Sequence, residues 1–316
     1  MENSALVYRQ FGEPATVLQA ETARKGPLMP GNIRVQMLCA PVNASDLIPI
    51  TGAYRHRITL PAVAGYEGVG RVIAAPQPFQ SLLGRRVLPL RGEGTWQQVV
   101  DCPAELAVPV PDEVETWLAA RAFINPLAAR LMLRLCSPEG KRVLLTAAGS
   151  DCAILLGQWA RRMGAREVWG IHRSPGHGAR LTAMGISPVA QQEAEAVRAV
   201  AARCDIVYDA TGGALAQALL EAMPRGGEFI SYGLLSGQPF TLAHRYPRVH
   251  WFHIRNAFSS LDPQGWQAEF RALWPLLASS RYSESVPLPF AGWREALQRY
   301  HQPGRIGKPV LQMTQD

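Results

Sequence analysis

The stretch that most constrains the fold runs from Arg142 to His172 and reads RVLLTAAGSDCAILLGQWARRMGAREVWGIH. A short apolar run, a turn containing Gly149, an amphipathic helical segment and a second apolar run make a strand–turn–helix–strand unit. Two such strands lie parallel in one sheet only if the helix crosses over a face of it. The same alternation continues on both sides. VETWLAARAF…ARLMLRL reads as an amphipathic helix before the unit, and strand segments follow at CDIVYDA, GEFISYG and VHWFHI, with helical stretches such as ALAQALLEAM between them. The pattern predicts an α/β fold with a doubly wound parallel sheet, a Rossmann domain over residues 119–279.

Residues 1–118 have a different texture. Short β-type runs such as IRVQML, GVGRVIAA and RRVLPL are punctuated by Pro and Gly, which predicts a β-rich domain. After the helical stretch GWQAEFRALWPLLAS, residues 280–316 return to a short β segment, the helix REALQRYH and the strand GKPVLQM. This tail is expected to rejoin the first domain.

Bulk properties exclude several classes. Of 316 residues, 47% are hydrophobic and 18% charged, a globular composition. The net charge of +7 comes from basic residues, mostly Arg, scattered along the chain with no run of five like charges, so no nucleic-acid partner is expected. No basic segment leads into an apolar run at the start, and no apolar stretch is long enough to span a bilayer, so a soluble cytoplasmic protein without membrane contact is expected. The five cysteines lie far apart with no C-x-x-C pair, which argues for small buried apolar residues and against a disulfide framework or a zinc lobe.

The turn after the first Rossmann strand is the place for a dinucleotide pyrophosphate, met by backbone N–H groups at the helix N-terminus. Its glycine signature is thin: Gly149 is present, but Asp151 and Ala153 stand where further glycines are usual. Gly149, Ser150, Asp151 and Cys152 are the candidate lining, with Ser150 or Asp151 as helix cap; a purely structural turn is the alternative. An NAD-preferring site ends the second strand with Asp or Glu. Here it ends Ile171-His172-Arg173-Ser174. A cation and hydroxyls suit a 2′-phosphate, so NADPH is the expected cofactor, with His172, Arg173 and Ser174 as candidate contacts; a solvated loop is the alternative.

With these motifs on the page, the chain resembles the zinc-independent members of the medium-chain dehydrogenase/reductase superfamily over essentially its whole length. The resemblance implies a GroES-like catalytic domain beside the Rossmann domain. Where zinc members carry Cys in a C-G-T-D-like run and His in G-H-E, this chain has Asn43 in VNASD and Tyr66 in GYE. Neither suits zinc, and no metal is expected. VNASDLIPITGAY is similar to the N-P-S-D…G-x-Y run of mitochondrial-type enoyl thioester reductases, FINPLAARLML to their V-N-P-x-T-A-Y-R-M-L, and SYGLLSGQP to their T-Y-G-G-M-x-x-Q-P. Quinone oxidoreductases are the other near group. The chain departs from the pattern at Ala128, Arg130, Leu234, Leu235 and Asp151, and Phe258 stands in place of a Trp.

The resemblance implies NADPH-dependent reduction of a 2-enoyl thioester, on CoA or an acyl-carrier protein, by a homodimer. It assigns Tyr54 as proton donor and Asn43, Asn125, Tyr232, Gly233, Leu234, Leu235 and Lys308 to the cofactor, Lys308 near its phosphate, with a surface lysine as the alternative. Arg55, Ala257 and Phe258 are assigned to substrate. His56 and Arg57 flank the same loop, which solvent alone also explains. Trp251, His253 and Arg255 alternate as on a strand at a subunit contact.

The residue types support the same chemistry. Hydride delivered to the β-carbon of an enoyl thioester pushes charge onto the carbonyl oxygen, where a donor lowers the barrier. A tyrosine hydroxyl, with an ordinary pKa of roughly 10, is such a donor at neutral pH. Quinone reduction and a non-catalytic NADPH-binding sensor or structural protein are the competing readings.

Overall fold

The computed structural model describes residues 1–242, 245–259 and 261–313; of residue 257 it describes the backbone and not the side chain. Two compact units result. The first comprises Met1–Ile124, Leu261–Ala278 and Glu284–Asp316, the second Asn125–Ser260 and Ser279–Ser283.

The first unit begins with β1 (Glu2–Tyr8), α1 (Pro14–Val17), β2 (Leu18–Arg24), β3 (Asn32–Pro41), α2 (Ala44–Leu47), β4 (Ala62–Val63), β5 (Val69–Ala74), β6 (Arg86–Leu88), β7 (Val99–Pro103), β8 (Val108–Pro109) and α3 (Thr116–Ala119). In β3 the period-two pattern is direct: Ile33, Val35 and Met37 are fully buried while Gln36 faces outward. Arg34, on that outer face, meets Asp101 of β7 through two hydrogen bonds of 2.8 Å.

The second unit holds α4 (Ile124–Leu135), β9 (Arg142–Leu145), α5 (Asp151–Arg162), β10 (Glu167–His172), α6 (His177–Ala183), β11 (Ser187–Ala190), α7 (Ala194–Ala201), β12 (Ile206–Asp209), α8 (Gly213–Ala222), β13 (Glu228–Ser231), β14 (Arg248–Trp251) and α9 (Ile254–Phe258). Its six strands are all parallel, in the order β11-β10-β9-β12-β13-β14. Helices over both faces bury the strands twice, so Val143–Leu145 and Ile206–Asp209 are near-continuous buried runs without alternation. α5 is capped by Ser150, whose Oγ accepts the Ala153 N–H at 3.3 Å, and carries Asp151 in its first turn and Arg161 and Arg162 in its last, favourable to the helix dipole at each end.

The chain then returns to the first unit with α10 (Pro263–Ala278), β15 (Ser285–Pro289), α11 (Trp293–His301) and β16 (Lys308–Gln312). β16 pairs antiparallel with β3, extending the sheet β15-β16-β3-β5-β6-β8, to which β7 also joins through β3.

Three features differ from the sequence reading. The amphipathic helix expected before the first Rossmann strand is broken into α3 and α4. Pro126 has no N–H to give and belongs in a first turn, so the long helix must start just before it. Residues 279–283 group with residues 125–260, whereas residues 119–124 and 261–278 belong to the β-rich unit. There the Trp266 indole donates to the Leu106 carbonyl at 2.9 Å, and its ring packs edge-on to Phe123 at 5.7 Å. Finally, the 251–253–255 alternation is not a strand: β14 stops at Trp251, and His253 caps α9 by accepting the Arg255 N–H at 3.3 Å.

All five cysteines are buried and none is joined to another by a disulfide. No helix among the described residues is long and apolar enough to cross a membrane.

Candidate active site

The motif VNASD folds into a buried polar cluster of the first unit. β3 delivers Asn43 to the start of α2, where Asp46 accepts the Asn43 N–H at 2.7 Å with one oxygen and the Tyr66 N–H at 2.9 Å with the other. The Asn43 carboxamide donates to Glu67 Oε1 at 2.7 Å and accepts from Lys308 Nζ at 2.5 Å. The second Glu67 oxygen takes the N–H groups of Phe123 at 3.1 Å and Ile124 at 2.8 Å. Four segments distant in sequence are thus tied at one point. Burial pushes the Asp46 carboxyl up to about 7, helped by the charge of Glu67, and burial likewise raises Glu67, while Lys308 pulls both down. Lys308 is therefore no surface lysine; it is 5% exposed.

Gly65 lets this cluster close. It sits at φ +90°, and a Cβ there would lie 2.4 Å from the Trp96 ring. Tyr66, where zinc members carry His, is half-buried.

Tyr54 lies in the turn after α2, half-buried, with the Arg57 guanidinium 6.0 Å from its ring centre. Arg55, His56 and Arg57 are exposed and form one helical turn. Arg55 stacks over Phe11 at 5.8 Å and donates to the Gly52 carbonyl at 3.3 Å, so part of its donor capacity is used locally.

In the second unit the strand order reverses between β9 and β12, and in open α/β sheets the crevice beyond the C-terminal ends of such strands is the ligand-binding position. The turn Thr146–Ser150 stands there. Ala147 is held at φ +46°, a conformation costly for a residue with a side chain, and the Ser150 N–H donates to its carbonyl at 2.9 Å. Strain of this kind fixes a turn whose glycines are missing. At Gly149 a Cβ would meet the His177 ring at 2.7 Å, so this one glycine is required by packing.

The candidate residues of this turn do different jobs. Ser150 caps α5. Asp151 is buried and accepts the Ser283 hydroxyl at 2.5 Å, which directs its charge to Ser283. The Tyr232 hydroxyl is buried beside Cys152, Ser150 and Asp209, and burial raises its pKa well above the ordinary tyrosine value. Gly233 approaches Ala210 so closely that a Cβ would lie 2.8 Å from that carbonyl oxygen. Leu234 and Leu235 follow on the surface, 45% and 51% exposed. Asn125 is half-buried in the first turn of α4.

At the end of β10, His172 and Ser174 are half-buried and Arg173 is exposed, with His172 Nδ1 3.0 Å from the Ser174 carbonyl. Phe258 is 8% exposed at the end of α9, and the side chain of Ala257 lies outside the described residues.

Sequence reasoning missed Asp209 and Thr146. Asp209 is fully buried at the end of β12; it accepts the Thr146 hydroxyl at 2.8 Å and the N–H groups of Thr211 at 3.0 Å and Gly212 at 2.9 Å. Thr146 in turn accepts the Ala210 N–H at 2.8 Å. The pair locks the two loops at the switch point, and burial raises the Asp209 carboxyl despite these bonds. An acid at a strand end, in the run Asp209-Ala210-Thr211-Gly212-Gly213, was the available signal.

Comparisons with known proteins agree with this layout. Residues 29–112 match the alcohol dehydrogenase GroES-like domain family. The chain is 30% identical to the mitochondrial enoyl-acyl-carrier-protein reductase of Homo sapiens over 330 aligned positions, covering 98% of this chain and 88% of that protein. Among solved structures, one described as a putative NADPH:quinone reductase from Bacillus thuringiensis is 32% identical, with a TM-score of 0.91 over 99% of both chains. The Escherichia coli quinone oxidoreductase complexed with NADPH shares the fold at 20% identity, with a TM-score of 0.87 over 98% of this chain and 99% of that one.

Proposed function

The chain belongs to the medium-chain dehydrogenase/reductase superfamily, and from that premise we propose that it is an NADPH-dependent, zinc-independent reductase of an activated carbon–carbon double bond, with a 2-enoyl thioester as substrate. The observation that carries the reading is the ammonium of Lys308 on the Asn43 carboxamide, 2.5 Å from its oxygen. A carboxamide already holding a carboxylate and an ammonium is no ligand for a divalent cation, and the ammonium repels one. Without a Lewis acid, reversible alcohol oxidation loses its means of stabilising an alkoxide. Addition to a conjugated double bond needs only a hydrogen-bond donor at the carbonyl oxygen.

NADPH, when bound, supplies the hydride. The strained turn at Ala147 and the N-terminus of α5 suit its pyrophosphate, and the end of β10 offers imidazole, guanidinium and hydroxyl groups with no carboxylate, a set that suits a 2′-phosphate. Tyr232, Gly233, Leu234, Leu235 and Asn125 line the remainder of the cofactor's path. Tyr54 donates to the substrate carbonyl oxygen as charge collects there. Lys308 and Asn43 hold their loop in place from inside the first unit, a positioning role.

Arg55, with His56 and Arg57, offers an exposed basic turn to the phosphates of CoA or an acyl-carrier protein, and Phe258 is assigned to the acyl pocket. The open edge of β14, with Trp251 64% exposed and stacked on Phe240 at 5.1 Å, supports pairing with a second copy as a homodimer. The reading places the enzyme in the cytoplasm.

The test is NADPH oxidation by the purified protein with a short 2-enoyl-CoA, in the presence of a chelator, against NADH and against a quinone. Thioester turnover that prefers NADPH and ignores the chelator is expected. Brisk quinone turnover without thioester turnover would move the assignment to the quinone reductases, which the Bacillus thuringiensis relative favours by its description. Tight NADPH binding with no turnover would make the protein a sensor.

A further inference from the structure

At the opposite end of the Rossmann strands from the phosphate turn, three side chains of metal-binding type converge. Cys136 follows the last turn of α4, Glu228 opens β13, and His250 lies on β14. The thiol, a carboxylate oxygen and an imidazole nitrogen all lie within 4.8 Å of one another. The backbone of Cys136 is pinned over the sheet, because the buried Tyr208 hydroxyl donates to its carbonyl at 2.8 Å. Glu228 and His250 come to one side through the parallel register, in which Ile230 sits opposite His250 and Glu228 opposite Arg248. The thiol is buried, whereas the Glu228 and His250 side chains are 32% and 23% exposed, leaving the cluster open to solvent on one side.

We propose that Cys136, Glu228 and His250 form a zinc site with a water as fourth ligand, clasping the end of α4 to β13 and β14 of the Rossmann sheet. Sulfur, nitrogen and oxygen from three separate elements are the zinc donor set. Tetrahedral zinc at about 2.0–2.3 Å from each donor places neighbouring donors roughly 3.3–3.8 Å apart, so the required movements are near 1 Å. His250 and Glu228 are now ion-paired at 2.6 Å and must separate slightly to admit the metal. Binding replaces the thiol proton by the metal and releases it to solvent; thiolate and carboxylate then balance the two positive charges. Arg248, on the same face, is the charge opposing occupancy. The site is independent of the reduction proposed above.

Cobalt(II) titration of the whole protein tests this. One equivalent should bind with a thiolate-to-cobalt absorption band and tetrahedral d–d bands, zinc should displace it, and zinc should raise the thermal unfolding temperature. Cys136→Ser should remove the thiolate band and weaken binding by roughly a hundredfold, and His250→Gln should weaken it by at least tenfold. Should the serine variant fail to fold, the glutamine variant alone decides by its affinity and altered d–d bands. No band at millimolar cobalt, or one that survives in either variant at full affinity, overturns the site.

Discussion

In the first unit the charges around Asn43 find their partners inside the protein, whereas in the second the turn 147–152 joins a strained residue, Ala147, to the first turn of α5, with Ser150 half-buried and Asp151 and Cys152 buried. Asp46, Glu67 and Lys308 are all within a tenth of full burial, and their hydrogen bonds converge on Asn43 and on neighbouring backbone N–H groups. Such a centre is finished before any ligand arrives. The switch point is different: its two buried acids, Asp209 and Asp151, serve the loops and Ser283, and the strained turn leads into the N-terminus of α5, where backbone N–H groups suit an anion. The contrast teaches where an evolved site keeps its rigidity and where it leaves capacity for a cofactor.

The largest effect should come from opening the closed centre. Lys308→Met leaves Glu67 and Asp46 without their cation, which costs about 3–5 kcal/mol when a buried pair loses one member. Denaturant unfolding measures it, and Glu67→Gln in the same chain should recover a large share. A loss below about 1 kcal/mol would mean that the cluster is not a closed electrostatic unit.

On the open side, Arg173→Ala should weaken NADPH roughly ten- to a hundredfold, the scale of charge-assisted bonds to a phosphate, and leave NADH unchanged. Equal losses for both cofactors would detach Arg173 from the 2′-phosphate. Asp209→Asn should lower stability by about 1–3 kcal/mol, because one of its three donors is left facing an amino group. Unchanged stability would show that the switch-point loops do not depend on it.

The last effect is a pH slope. Asp46 is raised from its ordinary value of 3.8 to about 7 in the folded chain, so between those values the folded state holds a proton that the unfolded state has lost. Its contribution to stability is fully present below about pH 4 and lost as pH rises through about 7. Thermal unfolding from pH 4 to 8 should show this decline, and Asp46→Asn should flatten it while lowering stability overall.

Much of the architecture was legible because strand–helix alternation reports burial directly: β9, β10, β12 and β13 and the helices α5 and α8 stand where the apolar runs put them. The break before α4 depends on Pro126, a local signal overlooked inside a strong helical pattern. The place of α10 depends on Trp266 finding the Leu106 carbonyl, a contact 160 residues away that periodicity does not encode. The same holds for the site. Tyr54, Gly149 and Ser150 announce themselves by motif, but that Lys308 reaches Asn43 across 265 residues, and that Thr146 and Asp209 lock a strained turn, are matters of tertiary packing.

The central claim is that Tyr54 donates to a carbonyl oxygen during reduction of an enoyl thioester. Steady-state turnover of Tyr54→Phe, measured with an enoyl-CoA and with a quinone on the same preparation, tests it most directly. A quinone yields a delocalised product that takes protons from water, so the account predicts a fall in kcat of roughly 10²–10⁴-fold for the thioester, little change for the quinone, and unchanged NADPH affinity. Undiminished thioester turnover by the Phe variant would contradict it.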